Sequence, residues 1–329
     1  MSEICTHDID LGEVTLRVHE AGDPRHPTVI LSHGFPELAH SWRHQLPVLA
    51  DAGFHVIAPD QRGYGHSTAP TDVTAYGIGS LTGDLIALLD RVGKEEAVFV
   101  GHDWGAMVVW ETARLHPNRV RAVAGVSVPF VQWPAPPLSL MRAVYADRFF
   151  YILYFQQEGP PERELGADAR HTMAKVLYGA SGAAMVGRTP PTELPPMEGT
   201  GFLDMMPGEL PALPFVGPEG PWLTEADLDE YAAEFAHSGF FGPVSWYRNF
   251  DRNFEAVQDL GPERLTMPSY FITGELDGVN LMDPTGIERM QQLLPDFRGF
   301  TIVPGAGHWV QQEAPQAFNA ALLSWLQSL

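Results

Sequence analysis

Residues 98–107 combine a side chain capable of nucleophilic attack with a turn that would expose it. The segment reads VFVGHDWGAM, so Asp103 stands between Gly101 and Gly105. An apolar strand that leads through a small–x–Asp–x–small turn into a helix is the pattern of a nucleophile elbow, in which serine is more frequent than aspartate. Glycines are needed because the turn is strained and neighbouring backbones pass close to it. The helix dipole would favour the ionised form of the Asp103 carboxylate.

Two other interpretations of this segment are weaker. Asp103 could be an ordinary helix N-cap, since aspartate is frequent at that position. A serine nucleophile would need the pattern G-x-S-x-G, and the two nearest segments, 65–69 (GHSTA) and 179–183 (GASGA), lack the final glycine. We therefore do not expect a serine esterase.

An aspartate nucleophile needs a base later in the reaction. Attack by Asp103 on carbon makes an ester on the enzyme, and a base must then direct water onto that ester. With an elbow of this kind, an acid and then a histidine are expected further along the chain. Asp277 follows a predicted strand in FITGELD, and His308 follows the next strand in the glycine-rich segment GAGHW. Glu275 is an alternative acid because it stands two residues before Asp277, and His308 could be a surface loop histidine.

A loop after an earlier strand offers candidates for stabilising negative charge. Residues 33–37 read HGFPE, and such a loop can present a backbone N–H to an oxyanion. We assign the donors as the backbone N–H groups of Phe35 and of Trp104, the residue after the nucleophile. Pro36 could simply form a turn, but glycine and proline together indicate a fixed loop that could include a cis bond before Pro36.

A metal site is the other chemistry that the histidine spacing could indicate. His40 and His44 stand four residues apart, as zinc ligands do on one helix. Ser41 occupies the position at which a metalloprotease has its glutamate, and Arg43 lies between the histidines. We interpret both histidines as helix-surface residues and expect no metal.

Short apolar runs alternate with helical patterns around these candidates. Fully apolar strands separated by helices predict a parallel sheet covered on both faces, so the fold class is α/β. The predicted strands are 14–19, 28–32, 55–59, 97–101, 120–128, 267–274 and 297–304. The predicted helices are 42–52, 81–92, 106–116, 286–294 and 314–329. Asp103, Asp277 and His308 then all follow the carboxyl ends of strands.

The strand–helix alternation stops in the middle of the chain. We predict a core formed by 1–129 and 262–329, with 130–261 as an inserted helical cap. An insertion at this point should cover the carboxyl ends of the strands, where open α/β sheets bind ligands.

The predicted cap contains a proline-rich stretch and a well-marked helix. Residues 188–221 include nine prolines and are predicted as a long irregular loop, because proline is excluded from regular helices and central strands. Residues 224–237 predict a helix with Thr224 as its N-cap and Asp227 three residues later.

Charge and composition limit the partners. Lys and Arg number 20 and Asp and Glu number 41, a formal net charge of −21, so nucleic acids and anionic membranes would be repelled. The single cysteine, Cys5, excludes an internal disulfide and a cysteine-based metal site.

The first residues lack the features of a signal peptide, and no apolar run approaches the roughly 18 residues needed to span a bilayer. We expect a soluble cytoplasmic protein.

Seven motifs are spread along almost the whole chain. They are HGFPE (33–37), DQRGYGHS (60–67), GHDWG (101–105), YILYFQ (151–156), GPVSWYRN (242–249), GELD (274–277) and GAGHW (305–309). Together they resemble the α/β-hydrolase-fold epoxide hydrolases; GHDWG and GAGHW also resemble haloalkane dehalogenases, whereas HGFPE and WYRN are more specific. The resemblance implies an α/β-hydrolase fold in which two cap tyrosines, Tyr151 and Tyr247, face the nucleophile. Tyr154 is the alternative to Tyr151, and we interpret it as a core aromatic residue.

The resemblance implies an epoxide hydrolase that converts a small hydrophobic epoxide to a vicinal diol without a cofactor. An ionised Asp103 needs no base to open the ring, while the two tyrosine phenols, protonated at neutral pH, donate to the ring oxygen. His308, oriented by Asp277, would then remove a proton from a water molecule that attacks the ester. The residues expected to line the substrate pocket are Phe35, Pro36 and Trp104.

Two alternatives stay open. A haloalkane dehalogenase uses the same aspartate ester but needs N–H donors for a halide, often from an asparagine at the position of Phe35, and phenols suit an alkoxide better. A non-catalytic ligand-binding member of the fold would usually lack one catalytic group; none is missing here, although fold alone does not establish activity. A homodimer is compatible with the sequence.

Overall fold

The computed structural model describes residues 2–187 and 193–329. The first five residues of the proline-rich stretch, 188–192, therefore lie outside the described residues. The strands are β1 Cys5–Asp10, β2 Thr15–Ala21, β3 Thr28–Ser32, β4 His55–Pro59, β5 Ala97–His102, β6 Val120–Val126, β7 Phe215–Gly217, β8 Gly220–Leu223, β9 Ser269–Gly274 and β10 Phe297–Val303. The α-helices are α1 Leu46–Asp51, α2 Ile78–Arg91, α3 Trp104–Leu115, α4 Pro137–Tyr145, α5 Tyr151–Tyr154, α6 Pro160–Gly166, α7 Ala169–Gly179, α8 Gly182–Met185, α9 Glu225–Ser238, α10 Phe241–Arg248, α11 Phe250–Val257, α12 Gly278–Met282, α13 Gly286–Leu293, α14 Val310–Glu313 and α15 Pro315–Leu326.

An eight-stranded sheet with the order β1-β2-β4-β3-β5-β6-β9-β10 forms the centre of the structure. β2 runs antiparallel to both of its neighbours, and the remaining neighbouring pairs are parallel. The predicted α/β class with a mostly parallel sheet is thus confirmed. The carboxyl ends of β5, β9 and β10 lie at the same edge of the sheet.

Alternate residues of the central strands enter two different hydrophobic clusters. Ile30 of β3 belongs to one cluster together with Val109 of α3, whereas Val29 and Leu31 belong to the other together with Phe318 of α15. Side chains of a strand alternate between the two faces of a sheet. Because helices cover both faces, β3, β4 and β5 are buried at every residue, which explains why their sequences are apolar except at the strand ends.

At the N-terminal side of the sheet, one strand was missed and one predicted helix is wrong. The strand β1 was not predicted, because Cys5–Asp10 is polar and lies exposed at the sheet edge. The predicted helix 42–52 is divided into a 3₁₀ turn, Ala39–Trp42, and α1. Pro47 stands in the first turn of α1, where its missing N–H is tolerated at a helix start but would break a continuous helix.

Eight helices, α4–α11, and the hairpin β7–β8 lie between β6 and β9 in the described part of the chain, and they form a helical cap region. The prediction that 188–221 is wholly irregular is wrong within the described residues, which include a 3₁₀ turn, Leu203–Met205, and most of the hairpin. Pro221 is tolerated because a two-stranded hairpin has free edges. The helix after it is confirmed: Thr224 caps α9 and exchanges hydrogen bonds with Asp227.

Candidate active site

The turn between β5 and α3 presents Asp103 in a strained conformation. Its φ is 52° and its ψ is −121°, a region that non-glycine residues rarely adopt. A Cβ at Gly101 would lie 2.1 Å from the Gly105 carbonyl oxygen, and one at Gly105 would lie 2.1 Å from the Ser32 carbonyl oxygen. Only glycine therefore fits on either side of the turn. The Asp103 side chain makes no capping hydrogen bond to α3, which argues against the simple N-cap interpretation.

His308 lies between two carboxylates that come from different strand ends. Its Nε2 atom is 3.4 Å from Asp103 Oδ2, and its Nδ1 atom is 3.0 Å from Asp277 Oδ1. Asp277 is fully buried, whereas Glu275 is exposed and accepts the Gly305 N–H at 2.9 Å. The structure therefore brings Asp277, and not Glu275, to the histidine.

The two carboxylates determine the charge of the histidine. Burial alone would lower the pKa of His308, but the charge of Asp277 and the hydrogen bond to Asp103 outweigh it and raise this pKa well above its usual range. Burial alone would raise the pKa of Asp277, and the positive charge of His308 reverses that effect and lowers it. At neutral pH, His308 and Asp277 therefore form an ion pair.

The loop after β3 holds one oxygen of the nucleophile. The Phe35 N–H donates a hydrogen bond to Asp103 Oδ1 at 2.8 Å, and the Phe35–Pro36 bond is cis. The backbone N–H of Trp104, the first residue of α3, has no hydrogen-bond partner among the described residues. Of the two predicted oxyanion donors, only the Phe35 N–H donates a hydrogen bond to the Asp103 carboxylate.

Two tyrosines of the cap border the same cavity as Asp103. This cavity measures about 280 Å³, and its lining includes Asp103, Tyr151 on α5 and Tyr247 on α10. The two phenol ring centroids are 5.8 Å apart. Burial, and secondly the negative charge of Asp103, raise the pKa of both phenols far above the usual value. Both phenols therefore stay protonated at neutral pH and can donate hydrogen bonds.

Tyr154 has different surroundings. Its ring packs against Phe149 at 5.6 Å, and burial together with a hydrogen bond to Glu164 raises the pKa of its phenol. It does not border the cavity of Asp103. These contacts are those of a packed aromatic residue with a satisfied hydroxyl.

The walls of this cavity are mainly aromatic and aliphatic. Among the lining residues are Trp104, Met107, Trp110, Met141 and Phe250. Trp104 was expected at this position. Phe35 and Pro36 do not border the cavity within the described residues; the Phe35 ring packs edge-to-face against the Tyr247 ring at 5.3 Å.

Sequence reasoning missed a set of buried donors behind His308. The His308 carbonyl oxygen accepts hydrogen bonds from His102 Nε2 at 2.7 Å and from the Ser127 hydroxyl at 2.8 Å. The other ring nitrogen of His102 pairs with the buried carboxylate of Glu37. Glu37 and His102 stand inside the motifs HGFPE and GHDWG, a signal that could have identified them, whereas the φ of 66° at Ser127 has no sequence signature.

The histidine pair at the N-terminal side does not form a helical motif. His40 lies in the 3₁₀ turn, and its Nε2 atom is 2.9 Å from Asp227 Oδ1 of α9. The interpretation of His40 and His44 as neighbours on one helix surface is therefore wrong. Across residues 2–187 and 193–329, no group of three or more His, Cys, Asp or Glu side chains is arranged to hold a metal ion. None of the helices within those ranges has the length and apolar character needed to cross a membrane.

Comparisons with known proteins identify the family of the chain. Residues 27–157, which include β3 to β6, match the model of the alpha/beta hydrolase fold family. Epoxide hydrolase A of Mycobacterium tuberculosis is 46% identical over 327 residues, which cover 98% of this chain and 97% of the relative. The epoxide hydrolase of Caballeronia sordidicola is 36% identical and covers 98% and 94%, respectively. The crystal structure of Epoxide Hydrolase A from Mycobacterium thermoresistibile has a TM-score of 0.86 at 44% identity and covers 99% and 98% of the two chains. The chain belongs to the epoxide hydrolases of the α/β-hydrolase fold.

Proposed function

We propose that this enzyme converts small hydrophobic epoxides to vicinal diols through a covalent ester on Asp103. The observation that carries the proposal is the shared cavity, in which a carboxylate and two protonated phenols face one apolar space. The proposal retains a core of 1–129 and 262–329 with a cap of 130–261. We further expect a homodimer, a cytoplasmic location and no nucleic-acid partner.

Ring opening is the first step of the proposed reaction. Phe35 holds Oδ1 of Asp103, which leaves Oδ2 as the attacking oxygen. As Oδ2 bonds to a ring carbon, the carbon–oxygen bond of the epoxide breaks, and the departing oxygen takes a proton from Tyr151 or Tyr247. General-acid assistance of this kind typically contributes 10²–10⁴-fold.

Ester hydrolysis is the second step, and it follows from a change in charge at His308. Asp103 contributes to the raised pKa of His308 through a hydrogen bond and its negative charge. Because alkylation neutralises Asp103, the pKa of His308 falls once the ester has formed. The imidazolium then gives up its proton, which restores the phenol that was deprotonated in ring opening. The neutral imidazole is now a base at the moment when a base is needed.

Water closes the cycle. His308 Nε2 removes a proton from a water molecule whose oxygen attacks the ester carbonyl carbon. The Phe35 N–H, assisted by that of Trp104, holds the negative Oδ1, and one such donor is worth about 3 kcal/mol. The bond from this carbon to Oδ2 then breaks, and Oδ2 takes the proton from His308, so the diol leaves with Oδ2. Asp103 retains the oxygen from water, and the proton still on that oxygen passes to His308, which restores the starting charges.

Removing the base tests this proposal. His308→Gln should be alkylated by styrene oxide and retain one equivalent on the peptide that contains Asp103, because the ester can form but cannot be hydrolysed. Mass spectrometry of that peptide measures the adduct. His171→Gln, which changes an exposed histidine of α7, is the matched control and should turn over normally. A His308→Gln enzyme without the adduct would contradict the ester mechanism.

A further inference from the structure

Glu313, the last residue of α14, is a fully buried carboxylate that the proposed reaction does not use. Its Oε2 atom accepts the Gly182 N–H at 2.8 Å. The carboxylate also accepts the Gly307 N–H and the Trp309 N–H, each at 3.1 Å. Within residues 2–187 and 193–329, no cationic side chain forms an ion pair with it. Its hydrogen-bond partners are therefore three backbone N–H groups.

These backbone groups belong to two distant parts of the chain. Gly307 and Trp309 flank His308 in residues 305–309, here termed the histidine loop. Gly182 belongs to residues 180–182, here termed the cap turn, which connects α7 to α8. The histidine loop is also bonded directly to the cap turn, because the His308 N–H donates a hydrogen bond to the Ala180 carbonyl oxygen at 2.9 Å. Glu313 therefore fixes the cap turn against the histidine loop.

The two segments also touch directly, backbone against backbone. A Cβ at Gly182 would lie 2.2 Å from the Gly305 carbonyl oxygen and 2.9 Å from the Gly307 nitrogen. A Cβ at Gly307 would lie 2.2 Å from the Gly182 nitrogen. No side chain separates the segments, so a displacement of the cap turn must displace the loop that contains His308.

The type of residue at position 313 suits this task. An ionised carboxylate offers only acceptors, so it can receive all three N–H groups without presenting a hydrogen of its own. Burial raises the pKa of Glu313 to about 7, and the hydrogen bonds from these three N–H groups oppose that rise by favouring the ionised form. A glutamine has the same shape, but its amide NH₂ group is a donor. This group would face a backbone N–H and could not accept a hydrogen bond from it. Glu313→Gln should therefore loosen the contact while preserving the volume of the side chain.

We propose that Glu313 is a positioning residue, which couples the cap to ester hydrolysis by holding the cap turn and the histidine loop in one arrangement. The inference rests on the proposed function, because it assigns His308 to the hydrolytic step. Alkylation depends on Asp103 and the cap tyrosines and does not need His308 as a base. Loss of the Glu313 carboxylate should therefore slow the second step selectively.

Single-turnover kinetics with styrene oxide separate the two steps. Rapid quenching followed by mass spectrometry measures the ester on the Asp103 peptide as it forms and disappears. We expect Glu313→Gln to form the ester at close to the wild-type rate and to lose it about tenfold to hundredfold more slowly, since small displacements of a catalytic group have effects of that size. Glu275→Gln is the matched control: this carboxylate also accepts a glycine N–H of the histidine loop but is exposed. It should leave both rates unchanged.

Two results would overturn the inference. One is a folded Glu313→Gln enzyme that hydrolyses the ester at the wild-type rate. The other is an equal loss in both steps, which indicates a general loss of structure. Failure of His308→Gln to trap the ester would instead overturn the proposed mechanism, so the two failures are distinguishable.

Gly182→Ala tests the coupling between the cap turn and ester hydrolysis by changing the cap turn. This variant is the deciding test if Glu313→Gln does not fold. The new Cβ must push the cap turn away from the histidine loop while Glu313 stays intact, so ester hydrolysis should again slow selectively. Gly166→Ala is the control, since a Cβ at this other cap glycine would meet no atom within 4 Å. A folded Gly182→Ala enzyme that hydrolyses the ester at the wild-type rate would contradict this coupling.

Discussion

Replacing Asp277 by asparagine should remove a charge without turning His308. Asp277 Oδ1 accepts two N–H groups, from His308 Nδ1 at 3.0 Å and from Val279 at 2.9 Å. Its Oδ2 atom lies 3.4 Å from the Thr273 hydroxyl. An asparagine can keep its oxygen at the position of Oδ1 and direct its amide group to the hydroxyl oxygen. The orientation of the imidazole is then preserved, and the loss of negative charge is the main effect.

The magnitude follows from that charge. Two unit charges about 4 Å apart interact by about 4 kcal/mol at an effective dielectric constant of about 20, which corresponds to roughly three powers of ten in rate. Asp277 stabilises the imidazolium that forms when His308 takes a proton from water. We therefore expect Asp277→Asn to slow ester hydrolysis on the order of 10²–10³-fold. This is less than the roughly 10⁴-fold that accompanies a wrong histidine tautomer.

The pH dependence gives a second readout with a defined sign. The Asp277 carboxylate raises the pKa of His308, and the base is lost as the pH falls through that pKa. Asp277→Asn should therefore move the acid limb of ester hydrolysis to lower pH, while alkylation stays near the wild-type rate. Rapid-quench single turnovers across the pH range measure both effects. Unchanged hydrolysis, a limb that moves upward, or a larger loss in Glu275→Gln would refute the reasoning.

Three further substitutions test the acid and the buried core. Tyr151→Phe and Tyr247→Phe should each slow alkylation by about 10²–10⁴-fold, and full activity in the double variant would contradict the assignment of the phenols as acids. Asp84→Ala should lower the free energy of unfolding by about 3–5 kcal/mol, because it leaves buried Arg62 without its bidentate partner, bonded at 2.6 and 2.7 Å. Urea denaturation measures this loss, and a change below about 1 kcal/mol would contradict it.

The sequence predicted those parts of the fold in which local pattern and tertiary environment agree. Buried parallel strands such as β3 and β4 are apolar except at their ends because both faces are covered, and their bounds match the prediction. β1 has no such run, since only pairing with β2 makes its polar sequence a strand. The proline-rich hairpin was missed for a similar reason, because its pairing, and not its composition, defines it.

The candidate site was predictable where a residue follows a strand end or stands in a motif. Asp277 and Glu275 could not be separated along the chain, because the choice depends on which side chain enters the buried edge of the sheet. Glu313 gave no signal, since the Gly182 N–H that it accepts lies 131 residues away. Contacts of that separation are products of the fold and cannot be inferred from local spacing.

Isotope labelling of the product tests the central claim most directly. One turnover of the wild-type enzyme in ¹⁸O-water should give unlabelled diol, because the new oxygen comes from the Asp103 carboxylate. The label should then appear in the peptide that contains Asp103. Labelled diol on the first turnover, with no label in that peptide, would mean that water attacks the epoxide directly, and it would contradict the covalent ester on which this account depends.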